Sequence, residues 1–211
     1  MLTTFFVQLM PGLKVTLGLF ILTLLFSIPL GIILAIGRVS SFRMLAPVIS
    51  FYIWVMRGTP LMLQLIFFYF GAMHLGLNCG RFFASVVVFV LNYAAYFAEI
   101  FRAGIQAIDK SQYEGADVLG LNFWQTIYFI VLPQAIKKIL PPLSNEVINL
   151  IKDTTLAQSI GVVEMFATLK VTVIRDFVIY PFIVAAGFYL VFTQLITKLF
   201  ARLEKYYAYY E

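Results

Sequence analysis

The chain has 211 residues, 62% of them hydrophobic and only 12% charged, and its mean hydropathy is +0.95. Soluble domains carry about 25% charged residues, so half that share excludes water as the main solvent and points to a lipid-embedded protein. The net charge of +5 does not indicate nucleic acid, because the basic residues sit between apolar runs rather than in one patch, and the single Cys79 excludes an intrachain disulfide.

The first basic residue is Lys14, with no early positive cluster and no small-residue cleavage site before it. The start therefore reads as mature protein rather than a leader. A spanning helix needs about 20 mostly apolar residues. Five stretches qualify, at 13–37, 45–75, 82–108, 140–160 and 181–200. The fold class expected is all-α, a single polytopic membrane domain over 1–211 with about five transmembrane helices. With the N-terminus outside, Arg38, Arg43, Arg102, Lys110, Lys137, Lys138, Lys198, Arg202 and Lys205 fall on the cytoplasmic side. Lys14, Arg81, Lys170 and Arg175 fall outside. The excess of Lys and Arg on cytoplasmic loops favours this orientation, which leaves the C-terminus in the cytoplasm. Tyr206, Tyr207, Tyr209 and Tyr210 form an aromatic tail suited to the interface.

The longest cytoplasmic connection, 109–138, is the least apolar part of the chain and reads as two short helices. Ser111 and Glu114 have capping-box spacing, so Ser111 is expected to cap the first helix while Glu114 reaches back. Gly120 suits a left-handed stop. Asn122 is placed to cap a second helix, which Pro133 is expected to limit.

This loop carries a resemblance. Glu114-Gly115-Ala116, then Gly120, then Ile130-Val131-Leu132-Pro133 is similar to the EAA loop of binding-protein-dependent ABC importer permeases. Gly115 departs from the usual alanine, at a cost of about 1 kcal/mol to the first helix. Arg57-Gly58-Thr59-Pro60-Leu61, Leu132-Pro133-Gln134-Ala135, Leu140-Pro141-Pro142-Leu143 and Lys152-Asp153-Thr154-Thr155-Leu156 resemble the polar amino-acid uptake branch. The resemblance covers nearly the whole chain. It implies a type I importer permease in the bacterial inner membrane, working by alternating access with a second permease, either a copy or a paralogue. A cytoplasmic ATPase dimer would dock on the loop 109–133, and an extracytoplasmic solute-binding protein would deliver the amino acid. Within the loop, Tyr113, Glu114, Ala116, Gly120, Phe123 and Trp124 are the expected ATPase-coupling residues, the aromatics as buried anchors. No phosphate-binding loop is present. ATP and Mg are therefore expected on the ATPase, with no cofactor on this chain.

Polar residues inside apolar spans are costly and mark either a pathway or internal pairing. Arg57, Asn92, Asp153, Thr154 and Glu164 are the candidates for the substrate pathway. A transported amino acid needs a donor for its carboxylate, for which Arg57 or Lys152 is suited. It needs an acceptor for its ammonium and, if cationic, for its side chain, for which Asp153 or Glu164 is suited. The competing readings are scaffold roles: Lys152 neutralising Asp153, Arg57 tying helices together, and Asn92 making an ordinary interhelical hydrogen bond. Two acidic candidates tilt the substrate toward arginine, lysine or histidine, with glutamine as the rival. Glu99 and Arg102 are spaced as an i,i+3 ion pair. Glu146 is left open between Lys138 and a partner subunit. His74 reads as a solvated residue near the outer interface. With one His, one Cys and no H-E-x-x-H sequence, a metal enzyme is poorly supported, and no metal site is expected. A passive channel or secondary carrier is the remaining alternative, since neither needs the loop helices.

Overall fold

A computed structural model describes residues 2–39 and 44–208, with side chains from Leu9 onward. Arg43, Tyr209 and Tyr210, assigned above to the cytoplasmic side and the tail, lie outside the described residues. The described residues form helices joined by short turns and contain no strand. Helix α1 runs Leu2–Val39, α2 Leu45–Gly58, α3 Leu61–His74, α4 Arg81–Gln106 and α5 Lys110–Val118. A short α6, Phe123–Gln125, passes through a π turn, Thr126–Val131, into α7, Leu132–Asp153. A 3₁₀ segment, Thr154–Ile160, then leads to α8, Met165–Asp176, and α9, Tyr180–Tyr207.

Among the described residues, α1, α4 and α9 are each long and apolar enough to cross a bilayer. Two bent pairs bring the count to five when each is taken as one span, in agreement with the expected number. The expected second span is not one straight helix, because α2 and α3 meet at 105°. Its cause is local: Pro60 has no N–H to donate, and it forces Thr59 into extended backbone at φ −119°, ψ 146°.

Helix α4 is the hub. Ala94, Ala95, Phe97 and Ala98 have no exposed surface, and α1, α2, α3 and α7 all pack around it. The face that α1 turns inward carries Thr16, Leu19, Thr23, Ser27, Gly31 and Ala35, spaced three or four apart and mostly small. Small residues let backbones approach closely where lipid provides no hydrophobic drive between helices. Gly31 shows this directly, since a Cβ there would lie 2.8 Å from Phe97 Cβ and 3.2 Å from the Ala94 carbonyl. Gly104 does the same for α4 on α7, where a Cβ would lie 2.3 Å from Ile139 Cγ1. By contrast α9 buries only Pro181, Ala185 and Ile196, and leaves Ile183, Leu190, Val191, Leu195 and Leu199 exposed for lipid or another subunit.

The loop helices form with two corrections. The cap of α5 is Asp109, whose side chain accepts from the Ser111 amide at 2.8 Å, and not Ser111 itself. An aspartate one residue ahead of the helix reaches the second free amide, as an N-cap should. Hydrogen bonding from Ser111, chiefly its backbone amide, holds the exposed Asp109 carboxyl below the usual carboxylate range. Pro133 does not end the second helix either. The chain stays helical from Phe123 to Asp153, with the wider π turn placed just before the proline. That turn relieves the ring clash an α-helix would impose, and the Gln134 side chain donates to the Ile130 carbonyl at 3.0 Å. The helix that carries the expected fourth span accordingly begins before Leu140, and it pairs with α8 across a bend of 61°. Gly120 adopts φ +71° and closes α5, with Leu121 N–H reaching the Ala116 carbonyl at 3.0 Å. Asn122 caps α6 in a reciprocal box with Gln125, at 3.0 and 2.9 Å.

Candidate functional site

The break at Gly58–Pro60, the middle of α4 and the second half of α7 enclose a cavity of about 540 Å³. Asn92, Tyr93 and Tyr96 line it from α4, and Glu146, Asn149 and Asp153 line it from one face of α7 at spacings of three and four. Arg57 enters from the last turn of α2, with its guanidinium 5.3 Å from the Tyr96 ring centroid, within the range of a cation–π contact. On α7, Asp153 accepts a hydrogen bond from the Tyr93 hydroxyl at 2.7 Å. A second cavity of about 370 Å³ continues along α4 and α7 toward the end that carries α5, lined by Glu99, Gly104 and Lys138. Arg57, Tyr96 and Glu146 line both. The result is a track between two helices, polar around the bend and largely apolar toward α5, with Glu146 and Asp153 on α7 and Arg57 where the two cavities meet.

At the far end of this track Glu99 is bonded to both Arg38 and Arg102, and Arg102 also reaches Gln106. The spacing on α4 anticipates the Arg102 partner. The Arg38 partner comes from α1 and is tertiary. Lys138 donates to the Ala107 carbonyl, which ties α7 to the end of α4.

Of the five pathway candidates, three meet at the cavity: Arg57, Asn92 and Asp153. Asp153 bonds to Tyr93 rather than to the exposed Lys152. Thr154 is buried behind the wall, its hydroxyl donating to the Ile151 carbonyl at 2.7 Å. Glu164 is elsewhere. Fully buried, it is the N-cap of α8, accepting from Phe166 N–H at 2.8 Å and Ala167 N–H at 2.6 Å. The Thr16 hydroxyl of α1 lies 3.4 Å from its carboxylate, and Met165 N–H donates to that same hydroxyl at 3.1 Å. Its oxygens are thus committed to the junction of α1 and α8. Glu146, left open above, faces both cavities.

Tyr93, Tyr96 and Asn149 join Arg57, Asn92 and Asp153 on the lining without having been singled out by the sequence. The α7 group has a signature in the sequence, the spacing Glu146, Asn149, Asp153, which puts all three on a single helical stripe. Among the loop residues, Glu114, Gly120, Phe123 and Trp124 are exposed, the last two rings meeting edge-on at 5.4 Å. Ala116 is buried and Tyr113 half-buried against the helix core. Among the described residues no group of three or more His, Cys, Asp or Glu is placed to hold a metal ion.

Residues 27–207 match the family described as binding-protein-dependent transport system inner membrane component. The chain belongs to this family. The permease is 36% identical over 196 residues to a Rickettsia bellii (strain RML369-C) protein provisionally named glutamine transport system permease protein GlnP, covering 92% of this chain and 90% of that one. It is 42% identical over 154 residues to the arginine transport system permease protein ArtQ of Bacillus subtilis (strain 168), covering 72% and 70%. A crystal structure of an amino acid ABC transporter with histidines superposes with a TM-score of 0.88 at 35% identity, over 97% of this permease and 96% of that chain. The MetNI methionine ABC transporter in an inward-facing conformation shares the fold at 16% identity, with a TM-score of 0.74.

Proposed function

We propose that this permease forms part of the path by which an ATP-driven importer carries a polar amino acid into a bacterial cell, and that the amino acid is cationic. The supporting observation is the charge content of the 540 Å³ cavity, which is lined by Arg57 from α2 and by Asp153 and Glu146 from α7. A zwitterion brings a carboxylate and an ammonium together, and each needs an opposite partner once water is stripped away. Arg57 takes the carboxylate. One α7 carboxylate takes the ammonium, and the second remains for a cationic side chain such as that of arginine, lysine or histidine. Glutamine is the second reading, favoured by the name of the Rickettsia bellii relative and by the neutral amides of Asn92 and Asn149 on the lining.

The remaining parts follow from this role. The exposed Phe123 and Trp124 of the loop meet a cytoplasmic ATPase dimer, which binds ATP and Mg. A second permease, identical or paralogous, completes the path, and a solute-binding protein loads it from outside. The N-terminus lies outside and the C-terminus in the cytoplasm. Alternating access moves the amino acid from one side to the other as ATP drives the ATPase dimer.

The test is uptake of labelled arginine, lysine, histidine and glutamine into proteoliposomes holding the permease, its ATPase and its binding protein. ATP-dependent accumulation that competes best among cationic amino acids is expected, and Arg57→Ala should abolish it. Uptake indifferent to ATP would replace this reading with a channel or secondary carrier. A Gly120→Asp protein should fold but no longer copurify with the ATPase, because the left-handed turn at φ +71° strains any side chain. Undiminished copurification would remove the loop from the coupling role.

A further inference from the structure

The bend between α2 and α3 frees backbone carbonyls in the last turn of α2, and lipid offers them no donors. Val55 O takes the Thr59 hydroxyl at 2.8 Å. Met56 O takes the Gln64 amide of α3 at 2.9 Å and the Asn92 amide of α4 at 3.0 Å. The Gln64 amide also reaches Thr59 O at 3.2 Å and Thr59 Oγ1 at 2.7 Å. The Asn92 amide in turn donates to Gln64 Oε1 at 3.0 Å. Two side chains from two other helices thus close a loop of hydrogen bonds on one bend.

The place where they close matters. Met56 O belongs to the peptide that joins Met56 to Arg57, so its two bonds orient that peptide plane and with it the direction in which the Arg57 side chain leaves the backbone. Asn92 stands one helical turn before Tyr96 on α4, the ring that carries the Arg57 guanidinium. The same face of α4 therefore grips the backbone ahead of Arg57 and supports the far end of its side chain. Arg57 is also the residue of α2 that lines both cavities.

We propose that Gln64 is a positioning residue for transport: with Asn92 it clamps the Met56–Arg57 peptide at the bend and so holds the Arg57 guanidinium over Tyr96, where the two cavities meet. This rests on reading the cavities as the amino-acid path. Gln64 touches no substrate in this role and acts through Arg57.

The test uses the assembled transporter in proteoliposomes. Gln64→Leu removes the donors and the acceptor together, and the KM for amino-acid uptake should rise about tenfold, the factor set by roughly one misdirected charged hydrogen bond. In an Arg57→Lys background, where the flexible ammonium no longer depends on that direction, the same change should raise KM by less than about threefold, giving a non-additive pair. Equal fold-changes in both backgrounds would overturn the proposal, because they would place the effect of Gln64 in packing unrelated to Arg57. Spin labels at the exposed Phe51 and Phe67 positions, one on each arm of the bend, should give a broader distance distribution in Gln64→Leu and an unchanged one in Arg57→Lys. A Gln64→Leu distribution as narrow as that of the parent would also overturn it. If Gln64→Leu does not assemble, Thr59→Val, of the same shape without the hydroxyl, must raise KM in the same direction, and an unchanged KM would overturn the proposal. Absence of ATP-dependent uptake in the parent complex would fail the transport reading instead, while the spin-label comparison would still decide whether Gln64 holds the bend.

Discussion

Replacing Glu164 separates a cap from a pathway carboxylate. Glu164→Ala would leave the Phe166 and Ala167 amides without acceptors and the Thr16 hydroxyl without its carboxylate neighbour, in a site with no exposed surface. Loss of an N-cap costs about 1 kcal/mol, up to about 2. An orphaned buried donor adds about 1–3 kcal/mol, at the low end here because the Thr16 hydroxyl can turn to a carbonyl of its own helix. The sum is about 3 kcal/mol, which weakens docking of α8 on α1 by roughly a hundredfold. Glu164→Gln keeps one acceptor oxygen and should cost about 1 kcal/mol. Hydrogen exchange read by mass spectrometry on the α8 amides of the assembled complex measures this opening directly. The expected result is exchange about a hundredfold faster in α8 for Glu164→Ala, with little change in α4, and an unaltered uptake KM for Glu164→Gln. Unchanged α8 exchange in Glu164→Ala would refute the cap. A raised KM in Glu164→Gln at parental exchange rates would return the residue to the substrate path.

Two glycines should respond in opposite ways. Gly104→Ala puts a methyl 2.3 Å from Ile139 Cγ1 and should lower the melting temperature of the purified complex by separating α4 from α7, an overpacking cost of about 1–3 kcal/mol. Gly58→Ala meets nothing within 4 Å and should leave that temperature unchanged. Asp109 supplies a pH test. Its carboxyl titrates below the ordinary value because Ser111 bonds the charged form, so the cap is fully present above about pH 4, the unfolded carboxylate value. It is lost as pH falls through the lower folded value. Exchange at the first α5 amides, corrected for its intrinsic pH dependence, should accelerate over that window. Asp109→Asn should abolish the acceleration while keeping the cap.

Composition alone settles that the chain lives in lipid, and the length of its apolar runs settles about five crossings. These are sums over many residues, and no single contact can reverse them. The loop turn was equally legible, because Gly120 and Asn122 act through local backbone geometry that needs no partner. Pro60 breaks the second span through the same kind of local geometry, by forcing Thr59 into extended backbone. Capping was harder. Asp109 and Ser111 are both competent caps two residues apart, and the helix starts at the first of them. One partner of the bend was not written locally either, since the freed Met56 carbonyl takes the Asn92 amide from α4, far off in the chain. Glu164 shows the limit most clearly. A carboxylate after a glycine in an apolar segment reads the same whether it faces a cavity or caps a helix. Its fate was decided by α1, which brings Thr16 to it from 148 residues away. Glu146 and Asp153 share a stripe on one helix, but that the stripe faces Arg57 follows from how α7 packs on α4, through contacts such as Ile139 on Gly104. Local chemistry names the groups a membrane protein can use, and packing decides which of them meet, because burial and hydrogen-bond satisfaction are properties of the assembled helices.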